Sequence, residues 1–311
     1  MKTVEILRLE SLSREPMVIE GYLFKGTDPD APKVAIIGAM QGDALIPLHA
    51  SASLINFLKN KIKAQKILGD VLIIPSINHY ALNISEKFWP LDKTNINMMF
   101  PGFDQGETTQ RIAQKVFEAI KDYDYGVVLE TRTDQSICIP YLMLLKSSWE
   151  DMQGAQNFGL KIIHHKELES IDTVTLQYNW QLWGTKAYSI MCPAEQKIDE
   201  EVSKEIIQSM IRFMNENKII KYPIFKEYNS NILQSKNIYT IKSPNSGMFI
   251  STKSLGSYIT KGEVLGKIID SLNGEVIHQF KSKVDGKLLC MFNNALVNEN
   301  AIVYKIAKIN R

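Results

Sequence analysis

The chain has 311 residues, of which 45% are hydrophobic and 23% charged, and its formal net charge is +2. This balance is typical of a globular protein with room for two domains, and it gives no electrostatic case for nucleic acid or a membrane as partner. No apolar run approaches the ~20 residues of a membrane-spanning helix, and the first residues lack the apolar centre of a signal peptide.

The first part of the chain alternates between strand and helix patterns. Short apolar runs predict strands, and apolar residues at three- and four-residue spacing predict helices. In chain order we predict strands over 3–9, 17–24 and 33–38, a helix over 45–63, a strand over 71–75, a long loop over 76–105, a helix over 108–121, strands over 125–130 and 187–191, and a helix over 198–216. This alternation predicts a parallel or mixed sheet with helices on both faces.

From about residue 237 the pattern becomes all-β. A glycine-rich segment at 243–266 is echoed more weakly at 282–289. Two related strand–turn–strand units predict a small pseudo-symmetric β sandwich or barrel. We therefore divide the chain into a domain over residues 1–222, a linker over 223–236 and a small β domain over 237–311.

A glycine-rich turn over residues 38–44 connects a buried strand to the helix that follows it. α/β proteins place ligands and metals at such strand-to-helix turns. Here the turn offers the amide of Gln41, the carboxylate of Asp43 and the methyl group of Ala44. This is a poor set of donors for metal chemistry.

Several separated stretches carry a family resemblance: the turn 38–44, the segment 75–78, the run Asp-Lys-Thr-Asn-Ile-Asn-Met-Met-Phe-Pro-Gly over 92–102, and the strand end 127–131. The long run is similar to the Asp-Gly-x-Asp-Leu-Asn-Arg-x-Phe-Pro-Gly motif of the succinylglutamate desuccinylase/aspartoacylase family, which are zinc-carboxypeptidase-like deacylases. The resemblance covers nearly the whole chain. It implies a three-layer αβα domain with a mixed sheet, followed by a small all-β lipoyl-like domain.

The resemblance also implies a zinc site, from which this sequence departs. The family holds zinc with the His and Glu of a His-Gly-x-Glu turn and a later His, uses a Glu as general base, and binds the substrate carboxylate with the Arg of an Asn-Arg pair. The ligand positions here carry Gln41, Ala44 and Glu130, and Met98 follows Asn97 where Arg is expected. No carboxylate occurs over 187–193, where the base is expected. We therefore expect no zinc and no other cofactor.

Two carboxylates remain as candidate catalytic or cation-binding groups, Glu130 and Asp43. Together with Gln41 they would suit a hard cation better than zinc. The alternative, which we favour, is that Arg132 neutralises Glu130. The residues predicted to line the pocket are Gln41, Asp43, Asn78, His79, Asn97, Met98, Glu130 and Arg132.

Other reactive side chains have simpler interpretations. His49 falls on a different face of its helix from Ala44, and the adjacent His164 and His165 point to opposite faces if they lie in a strand. Cys192 has no His at a recognisable catalytic spacing, so we interpret it as a buried structural cysteine.

The cysteines and the β domain exclude two further kinds of chemistry. The three cysteines, Cys138, Cys192 and Cys290, are odd in number and far apart, so we expect no disulfide framework and hence a reducing, cytoplasmic compartment. The stretch 271–279, where biotinyl and lipoyl domains carry their modified lysine, contains no lysine. Covalent cofactor attachment is therefore not expected.

Three functions remain open. The first is a pseudoenzyme that acts as a binding or assembly subunit, either as a homo-oligomer or together with an intact paralogue. The second is an active hydrolase of amide or ester bonds in N-acyl amino acid-like substrates, with a rebuilt metal or metal-free site. The third is a small-molecule sensor. The combined departures at the metal ligands, the Arg and the base favour the first.

Overall fold

The computed structural model describes residues 1–309 except Leu12, Arg14, Thr133, 195–196 and 225–228. Part of the predicted linker over 223–236 therefore lies outside the described residues. The chain forms two compact units, the first made of residues 1–131 and 140–230, the second of residues 132–139 and 231–311. Within the described part of the chain, no helix is long and apolar enough to cross a membrane.

The secondary structure agrees with most of the predicted elements. The strands are β1 (Lys2–Leu9), β2 (Met17–Phe24), β3 (Val34–Ala39), β4 (Val71–Ser76), β5 (Tyr125–Thr131), β6 (Ser136–Cys138), β7 (Tyr141–Leu145), β8 (Ile162–Lys166), β9 (Lys186–Cys192), β10 (Asn231–Gln234), β11 (Ile238–Lys242), β12 (Gly247–Ser251), β13 (Tyr258–Ile259), β14 (Val264–Ile269), β15 (Val276–Lys281), β16 (Gly286–Phe292), β17 (Leu296–Val297) and β18 (Ile302–Ala307). The α-helices are α1 (Leu45–Asn60), α2 (His79–Asn83), α3 (Thr108–Ile120), α4 (Met152–Gln156), α5 (Leu176–Leu182) and α6 (Glu200–Glu216), and 3₁₀ turns occur at Ala64–Lys66, Ile96–Met98, Ser170–Val174 and Ser235–Asn237.

The first unit is a three-layer αβα arrangement around a mixed sheet. Its strands lie in the order β1–β2–β4–β3–β5–β9–β7–β8. The central strands β4, β3, β5 and β9 pair in parallel, and β1, β2 and β7 add antiparallel pairings. Because side chains alternate along a strand, Val34 and Ile36 pack in one core with α1 and α6, whereas Ala35 and Ile37 pack in the other with α3 and α5. The predicted αβα fold class is confirmed.

The segment between β4 and α3 differs from the long loop predicted over 76–105. It contains the short helix α2 and the 3₁₀ turn at Ile96–Met98. Both begin with an asparagine cap: the Asn78 side chain accepts a hydrogen bond from the Ala81 amide, and the Asn95 side chain accepts one from the Asn97 amide. These capped turns are too short to show a helical apolar period, so a pattern search misses them.

The second unit consists of two antiparallel sheets with equivalent strand orders, β11–β18–β16–β13 and β15–β14–β12–β17. Exchanging the first half of the unit, β11 to β14, with the second half, β15 to β18, converts one sheet into the other. Its core includes Phe249, Leu265, Phe280 and Tyr304. This arrangement agrees with the repeat predicted from the glycine-rich segments.

The segment 132–139 follows β5 but belongs to the second unit. Its strand β6 pairs antiparallel with β16, placing Cys138 directly opposite Cys290, and the two cysteines form a disulfide. The expectation of unpaired cysteines is therefore wrong for this pair, and the basis for expecting a reducing compartment is lost with it. The partners are 152 residues apart in sequence, so no local spacing indicates the bond. Cys192 is free and buried.

Candidate functional site

In the glycine-rich turn between β3 and α1, the side-chain amide of Gln41 is hydrogen-bonded to a residue of a neighbouring strand. β3 and β5 pair in parallel, so their carboxyl ends meet at one edge of the sheet. There the Thr131 hydroxyl donates to Gln41 Oε1 at 2.7 Å, and both side chains are buried. A Cβ on Gly42 would lie 2.2 Å from the carbonyl carbon of Ala81, which shows how closely the turn packs on α2.

Glu130 lies at the carboxyl end of β5 and is held by side chains from two other elements. Its Oε2 accepts a hydrogen bond from Asn97 Nδ2 at 3.2 Å, and its Oε1 lies 2.7 Å from Ser189 Oγ on β9. Asn97 Oδ1 in turn accepts from the Leu176 amide at 3.1 Å. Burial raises the pKa of Glu130 above its ordinary value, although the hydrogen bonds from Ser189 and Asn97 oppose this shift.

The turn, Asn97 and the end of β5 enclose one small pocket. Its volume is about 10 Å³, which is about the room that one water molecule needs. Of the predicted site residues, the structure brings four together here. The lining residues are Met40, Gln41, Ala44, Asn97, Leu129, Glu130 and Thr131.

The other five predicted residues, of which Arg132 is described separately below, do not line this pocket. Asp43 is half-buried, and burial raises its pKa while the charge of Lys87 opposes the shift. Asn78 is fully buried and caps α2, and His79 is the first residue of that helix. Burial lowers the pKa of His79, which favours the neutral imidazole. Met98 lies in the 3₁₀ turn at Ile96–Met98.

The favoured pairing of Glu130 with Arg132 is wrong. Arg132 belongs to the second unit, where its guanidinium donates to both carboxylate oxygens of Asp134, with Nε to Oδ1 at 2.7 Å. Glu130 is held by hydrogen bonds with the neutral side chains of Asn97 and Ser189. β5 ends at Thr131, between Glu130 and Arg132, so closeness in sequence does not make the two side chains neighbours on one strand.

Sequence reasoning missed several side chains near Glu130. Ser189 contacts Glu130 and Gln177 contacts Ser189, and both are buried. Lys166 forms an ion pair with Asp172 at 2.6 Å. Both charged groups act on Glu130 electrostatically, Asp172 raising its pKa and Lys166 lowering it. The signal for Ser189 was a small hydroxyl side chain within the buried run of β9.

Solved structures define the class of fold. The first is a succinylglutamate desuccinylase from Silicibacter sp. TM1040, with a TM-score of 0.84, 16% identity and coverage of 98% of this chain and 94% of that one. The second is the product-bound ectoine utilization protein EutE from Ruegeria pomeroyi, with a TM-score of 0.82, 17% identity and coverage of 97% and 94%. At these identities the likeness establishes the fold alone.

Sequence comparison gives the family. The model of the succinylglutamate desuccinylase/aspartoacylase catalytic domain matches residues 30–176. The N-alpha-acetyl-L-2,4-diaminobutyric acid deacetylase of Halomonas elongata is 21% identical over 300 residues, which is 90% of this chain and 83% of the relative. The match to residues 30–176 makes that part of the chain similar to the catalytic domain of the succinylglutamate desuccinylase/aspartoacylase family and supports that family for the chain.

The residues at the expected zinc position do not fit that metal. A zinc site of this kind needs imidazole and carboxylate donors pointing at one centre. Here Ala44 offers no donor, Gln41 Oε1 already accepts from Thr131, and Glu130 is engaged with Asn97 and Ser189. Across the described residues, no group of three or more His, Cys, Asp or Glu side chains is placed to hold a metal ion.

Proposed function

We propose that this chain is a catalytically inactive member of its family, a pseudoenzyme that acts as a binding or assembly subunit. The observation that carries the proposal is that the polar side chains at the position of the family's metal are already hydrogen-bonded to protein groups. Gln41 Oε1 accepts from Thr131, and Glu130 is bonded to Asn97 and Ser189, around a pocket of about 10 Å³.

Energetic reasoning supports the same conclusion. Metal-assisted activation of water and electrostatic clamping each contribute several kcal/mol to the stabilisation of a transition state. This chain has Met98 at the position of the clamping Arg and Ala44 at the position of a ligand. Loss of both contributions removes many orders of magnitude in rate.

Two measurements test the inactive state. Protein purified without chelator is expected to contain far less than one zinc per chain by mass spectrometry of metals. Acetylaspartate, succinylglutamate and N-alpha-acetyl-L-2,4-diaminobutyric acid, the last named for the relative's activity, are expected not to be hydrolysed above background. The Halomonas elongata deacetylase, assayed in parallel, serves as the positive control.

The opposite outcome is equally well defined. Near-stoichiometric zinc that disappears in a Glu130→Ala variant would contradict the proposal. So would turnover of any of these substrates that disappears in the same variant. Either result would favour the alternative of an active hydrolase with a rebuilt site.

The assembly part of the proposal is supported by an apolar surface of the first unit. Trp149, Leu182 and Trp183 are each about half exposed, at 56%, 52% and 51%, around an open groove. Clustered exposed apolar side chains of this kind mark contact sites in soluble proteins. Sedimentation velocity is expected to show self-association that weakens in Trp149→Ser. A wild-type chain that stays monomeric at every concentration would contradict self-association.

A further inference from the structure

Two segments of the first unit, 59–68 and 217–222, lie side by side where α1 and α6 end. The Lys221 amide donates a hydrogen bond to the Lys66 carbonyl oxygen at 2.7 Å. The residue after Lys66 and the residue before Lys221 form an antiparallel bridge. The two segments are far apart in sequence, and these bonds join them into one surface.

Isoleucines anchor this surface and lysines cover it. Ile62, Ile67, Ile219 and Ile220 are buried in the core that also contains the inner sides of α1 and α6. Burial of these side chains holds the backbone of both segments in place, and the lysines between them are exposed. The exposed lysines form what we call the lysine patch: Lys59, Lys61, Lys63, Lys66, Lys218 and Lys221.

The lysine patch is a local excess of positive charge. Segments 59–68 and 217–222 contain six lysines and no acidic residue, and Glu216 and Asp28 lie at the borders of the patch. Within the described part of the chain, no ion pair involves any of these lysines. The net charge of +2 averages over the whole chain and does not show this excess. Because salt screens charges beyond about 8 Å, the local excess determines what the surface attracts.

The ends of the two helices account for only part of this charge. The carboxyl ends of α1 and α6 each carry about half a negative charge, so about one lysine would neutralise both. Lys218 has a φ of +58°, in the left-handed region where glycine or asparagine usually follows a helix. Lysines close together also repel one another, which opposes folding when nothing is bound. The fold therefore does not require this number of lysines at this place.

The side chains of the patch favour a surface that carries many negative charges. The two segments contain no arginine, whose planar fork binds a single phosphate with two parallel hydrogen bonds. Single-stranded nucleic acid stacks its bases on exposed aromatic faces. The one aromatic residue of the two segments, Tyr222, is half-buried and packs edge-on against Phe57, with ring centroids 5.1 Å apart. Clusters of about four to eight basic residues are typical of surfaces that bind anionic lipids.

We propose that the lysine patch docks this protein on the surface of an anionic lipid bilayer. The other exposed side chains of the two segments are Asn60, Ala64 and Gln65, so the attraction is electrostatic and no large apolar side chain enters the lipid. α1 begins beside the candidate pocket and ends at the patch, and its 16 residues span about 24 Å, so docking leaves the pocket uncovered. The inference goes beyond the proposed function, because it does not depend on catalysis. It departs from the expectation of no membrane partner, which used the net charge alone.

Co-sedimentation of the full chain with lipid vesicles tests the docking. We expect binding to vesicles of phosphatidylcholine and phosphatidylglycerol mixed at about two to one, and none to phosphatidylcholine alone. Salt at about 1 M, where the Debye length is about 3 Å, is expected to release the protein completely. Each lysine near an anionic surface strengthens binding by about fivefold. The triple variant Lys61→Gln, Lys63→Gln and Lys66→Gln is therefore expected to bind on the order of 100-fold more weakly.

Two further variants separate the position of the charge from its amount and from stability. Lys242→Gln with Lys281→Gln and Lys283→Gln removes three exposed lysines of the second unit, and we expect it to bind nearly as well as the wild type. Lys218→Gly places glycine at a φ that favours it. We expect this variant to unfold at the same urea concentration as the wild type or a higher one, and to bind about fivefold more weakly.

Several results would overturn the proposal. Absence of binding to the anionic vesicles at low salt would contradict it directly. Equal weakening in the two triple variants would show that net charge, and not the patch, attracts the lipid. Unchanged binding with a lower urea midpoint in the first triple variant would show that the lysines serve only the helix ends. Tighter binding to duplex DNA or to poly-glutamate than to vesicles, at equal concentration of negative charge, would identify another class of partner.

Discussion

The disulfide between Cys138 and Cys290 allows a quantitative test of how the second unit is held together. The perturbation is the double variant Cys138→Ser with Cys290→Ser. For partners 152 residues apart, the loop-entropy relation gives about 5 kcal/mol of stabilisation. Equilibrium urea unfolding is expected to show a fall in the midpoint of about 1 M or more. Cys192→Ser, which replaces the free buried cysteine, is the matched control and is expected to cost much less.

Alkylation under denaturing conditions establishes the pairing independently. Intact mass is expected to show one modified cysteine before reduction and all three after it, because Cys192 alone is free. Three modified cysteines in unreduced protein would refute the pairing. A double variant that unfolds at the same urea concentration as Cys192→Ser would refute the entropic argument, since the crosslink would then not restrict the unfolded chain.

Three further predictions concern the first unit. Asn97→Ala leaves the Leu176 amide and Glu130 Oε2 without their partners, and we expect it to cost about 2–4 kcal/mol in urea unfolding. Gly42→Ala places a Cβ 2.2 Å from the Ala81 carbonyl carbon, so we expect a cost of at least about 1–3 kcal/mol and a lower thermal midpoint. Cys192 is buried with a raised pKa, so we expect a thiol reagent to modify it after unfolding and not in the native protein.

Much of the first unit could be predicted because its elements are long and periodic. The pattern over 17–24 matches β2, and the helix predicted from residue 45 begins where α1 begins. Between β5 and β9 the same reasoning found little. The helices α4 and α5 have five and seven residues, and each begins with a side-chain cap from Asp151 or Thr175. Such elements depend on tertiary packing and have too few turns to show a period.

The candidate site could be predicted in its positions and not in its contacts. The family motifs identified Gln41, Asn97 and Glu130, and the structure places all three around one pocket. The hydrogen-bonded side chains next to Glu130 come from other elements: Ser189, which contacts Glu130, lies on β9, and Gln177, which contacts Ser189, lies on α5. Strand order, which no local pattern contains, brings them together. The same limitation explains the wrong pairing of Glu130 with a residue close to it in sequence.

The retained motif residues have structural roles that do not require catalysis. Asn97 accepts from the Leu176 amide, and Phe100 is buried in the core while its carbonyl accepts from Asn179 Nδ2 at 3.1 Å. Gly102 has a φ of +92°, and a Cβ there would lie 2.1 Å from the backbone nitrogen of Gln114. Substitution at any of these positions therefore disturbs folding, so selection for stability alone would preserve them. Met98 and Ala44, by contrast, lie where the resemblance implies an Arg and a metal ligand, and the proposed loss of catalysis predicts this contrast between retained structural residues and replaced reactive ones.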